Sequence, residues 1–282
     1  MGIKSCLSLL VIGAGMVSTA LAADTFVNGG FETGSFSNWT KGYGTVSTSG
    51  NTRIFTPTGT GSASATKDLI VTNTVSGQTV INSKDANTLG NLCEVYNGTY
   101  AARVNNFDNG SHYNYITQQV TGYQNDRIYF AWAAVLLDPT NTPHTVVQEP
   151  YFHITVTDNT TSTILYDISF DTHFNIPAAG FHDGLVVGNS DPNNSAGIWK
   201  YTDWNPVWLN VTTGHDFTMT VLAADCTLGG HGGYAYVDAF NNTELPANPG
   251  VDANPIQELG VPEPAAISLL ALGSLVIFRR RK

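Results

Sequence analysis

Arg127-Ile-Tyr-Phe-Ala-Trp-Ala-Ala-Val-Leu-Leu137 is a long apolar run in the middle of a 282-residue chain. Asp138-Pro139 closes it with a turn signal. It therefore reads as a central strand, buried on both faces toward its end. Downstream, Tyr151 to Asp158 (YFHITVTD) alternates, with Phe152, Ile154 and Val156 on one side. Ile116 to Val120, Thr163 to Asp171, Trp208 to Thr212, Phe217 to Leu222 and Tyr234 to Phe240 read in the same way. Asn109-Gly110, Asp158-Asn159, Asp191-Pro192 and Gly229-Gly230 supply turns between them. No stretch of this region carries a long helical period. Many short strands in one domain of this size predict an all-β, two-sheet sandwich.

Composition agrees. Charged residues make up 12% of the chain, about half the usual share of roughly 25%. Asn, Thr, Ser and Gly take their place, and these favour turns and strands over helix faces.

Both ends read as address labels. Lys4, the apolar stretch Leu7 to Val17 and Ala20-Leu21-Ala22 have the order of a secretion signal. Residues 1–23 are expected to pass the chain to the Sec translocon and then be removed. At the other end Val261-Pro262-Glu263-Pro264 precedes the apolar run Ala265 to Phe278 and the cluster Arg279-Arg280-Arg281-Lys282. As a helix those 14 residues would extend about 21 Å, against a hydrocarbon core of about 30 Å. That span is marginal without help from its flanks. The basic end favours the cytoplasmic side, so the preceding domain would lie outside. Between Leu245 and Pro264, five prolines mark a semi-extended linker at 246–260. The working domain is then 24–245.

The tail, residues 261–282, resembles the PEP-CTERM sorting domain in all three parts and in their order. The resemblance implies processing by an exosortase-type membrane protease near Pro262, Glu263 and Pro264, with Arg279, Arg280 and Arg281 as the basic end of the signal. It also implies export, anchoring in the inner membrane through the C-terminal transmembrane helix, and then display at the cell surface or release. Proteins with this tail come from bacteria that make extracellular polysaccharide.

A second resemblance concerns the domain. Val27-Asn28-Gly29-Gly30-Phe31-Glu32-Thr33-Gly34 with Trp39 is similar to the opening of jelly-roll carbohydrate-binding modules. Ile116 to Thr121, Ile128 to Trp132, and Tyr236-Val237-Asp238-Ala239-Phe240 resemble further strands of that family, the last being its closing strand. The resemblance implies a jelly roll with a structural Ca²⁺ held by Glu32 and Asp238. Ca²⁺ takes 6–8 oxygens, so backbone carbonyls near Asn28 would complete the shell. The alternative is that both carboxylates cap turns at a sheet edge.

Between residues 24 and 245 there are seven Lys and Arg against 19 Asp and Glu, a formal charge of −12. Nucleic acid and other polyanions are poor partners for that surface. Neutral sugars and divalent cations are better ones. Once the signal has left with Cys6, Cys93 and Cys226 form an even pair in an oxidising compartment and are expected to form a disulfide. The alternative is two separate buried thiols. No second Cys stands at C-x₂₋₄-C spacing, so the chain carries no zinc motif of that kind.

Catalytic signatures such as G-x-S-x-G, H-E-x-x-H and the P-loop are absent. Asp171, His173, His182 and Asp183 are the nearest candidate cluster for a metal or for acid–base work. His231 among four glycines suggests a tight turn before the last strand, with a ligand role as the alternative. Trp199, Tyr201, Trp204 and Trp208 crowd into GIWKYTDWNPVW. Sugars stack on such rings; alternatively Trp204 and Trp208 belong to the core. The expectation is a non-enzymatic protein of the extracellular polysaccharide or biofilm matrix that binds glycan. A structural or adhesion protein without a sugar pocket is the alternative, and a secreted glycoside hydrolase is the third reading.

Overall fold

A computed structural model describes residues 25–62, 64, 67–76, 79–140, 144–173, 180–189, 191 and 194–240. The chain divides into two units, Met1–Pro246 and Ala247–Lys282, and the second lies wholly outside the described residues. The expected signal peptide, the expected linker, and the expected sorting tail with Pro262, Glu263, Pro264 and Arg279 to Arg281 also fall outside them. No helix among the described residues is long and apolar enough to cross a membrane.

The described residues of the first unit are all-β apart from one short 3-10 turn. Its strands are β1 Thr40–Ser49, β2 Thr52–Thr60, β3 Leu69–Thr72, β4 Thr74–Ser76, β5 Thr79–Ile81, β6 Tyr100–Val104, β7 His112–Val120, β8 Arg127–Pro139, β9 Tyr151–Asp158, β10 Thr163–Phe170, β11 His182–Val187, β12 Gly197–Tyr201, β13 Asn205–Asn210, β14 Phe217–Ala224 and β15 Gly233–Asp238. A six-stranded sheet has the order β10-β9-β14-β7-β1-β2. A seven-stranded sheet has the order β11-β12-β8-β15-β6-β3, with β13 also on β8. The pairings are antiparallel. The chain passes repeatedly from one sheet to the other, as in the run β6 to β7 to β8 to β9.

The opening run becomes β8, the axis of the seven-stranded sheet. Asp138-Pro139 is not a turn: it ends β8, paired with Ile198 and Gly197 of β12. Both faces of β8 are covered, and each residue after Arg127 is buried. Phe130, Trp132, Ala134 and Leu136 face the six-stranded sheet, where they meet Phe152, Ile154 and Val156 of β9 and Met219 and Val221 of β14. Trp132 stacks on Phe152 at 4.9 Å, and its Nε1–H donates to Tyr166 Oη at 3.0 Å. The indole thereby keeps its one donor satisfied inside the core.

The N-terminal segment seals one end of this core with Phe26, Phe31 and Trp39. Gln118 on β7 receives the Val27 N–H at 2.8 Å and donates to the Val27 carbonyl at 3.0 Å, pairing the segment as a strand would. Gly29 lies directly on Phe240, so that a Cβ there would overlap Phe240 Cβ and its carbonyl oxygen. First and last segments of the domain are thus tied together.

Candidate functional site

Side chains alternate across a strand. Ala102, Val104, Ala235 and Val237 point into the core; hence Arg103, Tyr234 and Tyr236 point to the opposite, outer face of the seven-stranded sheet. That face is not left to solvent. Residues 82–98 fold across it, and Asp85 organises them. Its Oδ1 accepts the Asn87 N–H at 2.7 Å, capping the 3-10 turn Ala86–Thr88. Its Oδ2 accepts the hydroxyls of Tyr234 at 2.7 Å and Tyr236 at 2.8 Å.

Between this covering segment, β11 and the sheet there is a cleft of about 290 Å³, at the small end of ligand-site volumes. Its floor is Trp199, Tyr234 and Tyr236; its polar wall includes Asp85, Asn87, Glu94 and Arg103. Phe107 and Leu185 line its exposed rim. The Arg103 guanidinium lies over two rings, 5.7 Å from the Tyr234 centroid and 5.9 Å from that of Phe107. Glu94 Oε1 sits 3.3 Å from the Tyr236 hydroxyl, which already binds Asp85. Burial, and then the charge of Asp85, push the Glu94 pKa upward. One wall thus offers acceptors and, as Glu94 takes up a proton, a donor. The floor is aromatic and nearly enclosed, with Trp199, Tyr234 and Tyr236 at 1, 2 and 0% exposure; the open ring face is that of Phe107 at the rim, 40% exposed.

The four aromatic residues expected to bind ligand have separated. Trp199 is buried under the cleft, 5.5 Å from the Tyr234 ring. Tyr201 is buried on the same strand, beneath the His182 ring. Trp204 is buried against Tyr96 and Tyr236, with its Nε1–H on the Cys93 carbonyl at 2.8 Å. Trp208 is exposed on β13, outside the cleft lining. Asp85, Glu94 and Arg103 escaped notice because residues 82–98 carry no apolar period and β6 is only five residues long.

Glu32 and Asp238 do meet, on either side of Gly30 and against residues 96–100. Backbone N–H groups surround their oxygens. Asp238 accepts from Tyr96 (3.0 Å), Asn97 (2.9 Å) and Ala239 (2.5 Å); Glu32 accepts from Thr99 (3.0 Å) and Tyr100 (3.2 Å). Asp238 is fully buried, and its pKa is raised, first by burial. These donors occupy part of the capacity of the two carboxylates, which have about four acceptor sites each. The observed pair is a hydrogen-bonded clamp between the chain's opening, its closing strand and residues 96–100.

The expected disulfide is not formed. Cys93 and Cys226 are buried thiols in different loops. Lys84 Nζ lies 3.0 Å from Cys93 Sγ, whereas Cys226 Sγ accepts the N–H groups of Gly230 and His231 at 3.2 and 3.3 Å.

The candidate cluster Asp171, His173, His182 and Asp183 also disperses. His182 pairs with Asp203 at 3.0 Å, and Asp183 with Lys200 at 2.5 Å. Asp171 accepts the His173 N–H at 3.1 Å. The His173 ring instead bridges two residues that sequence reasoning had not singled out: Glu149 at Nδ1 (3.2 Å) and Asp138 at Nε2 (3.3 Å). Burial raises the pKa of both carboxyls.

No protein-family model matches the sequence, and no curated protein gives a significant match. Among solved structures, the chain is similar to the carbohydrate-binding module TmCBM61 in complex with β-1,4-galactotriose, at 14% identity and TM-score 0.36, covering 77% of this chain and 95% of that one. It is similar to the enzymatically active domain of tailspike protein 4 of bacteriophage CBA120 at 9% identity and TM-score 0.30, covering 75% of this chain and 20% of that one. It is also similar to a family 11 carbohydrate-binding module from Clostridium thermocellum in complex with a β-1,3-1,4-mixed-linked tetrasaccharide, at 12% identity and TM-score 0.23, covering 72% and 87%.

Proposed function

We propose that the domain is a jelly-roll glycan-binding module, exported and sorted to the cell surface by its two terminal signals, and acting without catalysis in an extracellular polysaccharide matrix. One observation carries the reading. In a single cleft, an aromatic floor of Trp199, Tyr234 and Tyr236 meets the polar wall of Asp85, Asn87, Glu94 and Arg103. Pyranose rings present apolar C–H faces and a rim of hydroxyls, and such a cleft matches both. The formal charge of −12 on residues 24–245 favours a neutral sugar over an anionic one.

The test is retention of soluble 24–245 on immobilised neutral polysaccharides, with reducing-sugar release measured in parallel. Phe107→Ala and Glu94→Gln alter the rim and wall without opening the core. Glu94→Gln is expected to weaken binding at least tenfold, since hydrogen bonds to a charged group contribute ~1.5–3 kcal/mol; Phe107→Ala is expected to weaken it up to about tenfold through the lost ring contact, ~0.5–1.5 kcal/mol. Retention unchanged in both variants would refute the cleft. Sugar release that disappears in Glu94→Gln would convert the reading to a hydrolase.

A further inference from the structure

Away from the cleft, the turn between β14 and β15 folds back on its own cysteine. Cys226 N–H donates to the His231 carbonyl at 2.8 Å, and Gly229 N–H donates to the Cys226 carbonyl at 3.1 Å. This closes residues 226–231 into a tight loop. The sulfur, in a residue with no exposed surface, accepts two backbone N–H groups, from Gly230 and His231.

The imidazole of His231 faces that sulfur. Its Nε2 lies 3.3 Å from the Ala196 carbonyl, which can only accept. The proton therefore belongs on Nε2, and Nδ1 presents its lone pair toward Cys226 Sγ, 3.5 Å away. A carbonyl holding the remote N–H of a ligating histidine is the usual outer-shell arrangement of metal sites. The ring of His144 packs edge-on against His231 at 5.0 Å and 81°. One donor atom each from His144, Cys226 and His231 falls within 4.8 Å of the others.

We propose that His144, Cys226 and His231 form a zinc site that ties the β8–β9 loop to the β14–β15 turn. The distances carry the assignment. Zn–S of about 2.3 Å and Zn–N of about 2.05 Å at a tetrahedral angle put sulfur and nitrogen about 3.6 Å apart. The observed separation is 3.5 Å. One thiolate and two imidazoles are a donor set for zinc rather than for calcium or magnesium. Binding breaks the Cys226 S–H bond and releases one proton to solvent as the sulfur takes the metal. The neighbouring group of Asp138, Glu149 and His173 is different: the two ring nitrogens of His173 face carboxylates on opposite sides, so one ion cannot replace both contacts.

The test uses the full-length chain, stripped with chelator and reloaded with zinc or with cobalt(II) as a spectroscopic stand-in. One zinc per chain is expected by elemental analysis. The cobalt form is expected to show a sulfur-to-metal charge-transfer absorption that Cys226→Ser abolishes. At zinc 100-fold above Kd the apparent folding constant is expected to rise about 100-fold. Because Cys226→Ser removes a buried group, His144→Ala, in a loop and half-buried, serves as the second variant. It is expected to fold without zinc and to gain nothing from it. Absence of stoichiometric zinc, a cobalt form without the sulfur band, or stabilisation that persists in His144→Ala would each overturn the site.

Discussion

Asp225 is the most consequential ionisable group outside the cleft. Its carboxylate has no exposed surface. It accepts Asn105 Nδ2 at 2.9 Å and the His112 N–H at 3.2 Å, and it faces Lys67 Nζ at 3.8 Å. His112 Nδ1 lies 3.9 Å away, in a ring whose pKa is lowered by burial. Burial outweighs Lys67 and the hydrogen bonds, and the Asp225 pKa is pushed up to about 7. An unfolded aspartate titrates near 3.9. A folded pKa above the unfolded one means the contribution is fully present below about pH 4 and is lost as pH rises toward about 7. Three units at 1.36 kcal/mol each amount to about 4 kcal/mol. Asp225→Asn has nearly the same shape and does not titrate. Urea unfolding of both proteins from pH 4 to pH 8 isolates this one group. The stability of Asp225→Asn minus that of the native protein should climb by about 4 kcal/mol across the interval and then level off above pH 7. A difference that stays constant with pH would refute the reasoning.

Other consequences are simpler to check. Gly29→Ala should lower stability by about 3 kcal/mol in chemical denaturation, since its methyl overlaps Phe240. Trp199→Ala should cost about 3–5 kcal/mol because the ring is 1% exposed; glycan retention lost in that variant would reflect folding as much as contact. EGTA should leave the thermal midpoint unchanged, because the oxygens of Glu32 and Asp238 are already held by backbone N–H groups; a fall of several degrees would place calcium at that clamp.

β7, β8, β9, β10, β14 and β15 were legible because one or both of their faces are apolar; β6, which also gives Ala102 and Val104 to the core, was not, being only five residues long. β9 matches its expected limits, Tyr151–Asp158, and β8 runs two residues past its expected end. β1 and β2 were not legible. β2 is an edge strand with no fully buried residue, and β1 buries only Gly42, Gly44 and Val46, so neither shows an apolar alternation. The segment Gly197 to Tyr201, expected to offer its rings to ligand, is itself β12, and its tryptophan and tyrosine serve packing. In the candidate cleft, Trp199 could be singled out by type, but Asp85, Glu94 and Arg103 come from sequence-distant segments with no motif between them. The same holds for His144, Cys226 and His231: a turn and a remote loop supply the donors, so spacing along the chain carries little of the signal. Cysteine number alone suggested a disulfide, and only the separate surroundings of the two sulfurs correct it.

The central claim is that sugar enters the cleft on the outer face of the seven-stranded sheet. The chain has five tryptophans, and their indole N–H resonances report on it during titration with a neutral oligosaccharide that the domain retains. The Trp199 resonance should move and saturate with ligand, while those of Trp39 and Trp132, enclosed between the sheets, should stay in place. Movement confined to Trp208, which lies on β13 outside the cleft, or no movement at saturating sugar, would contradict the account.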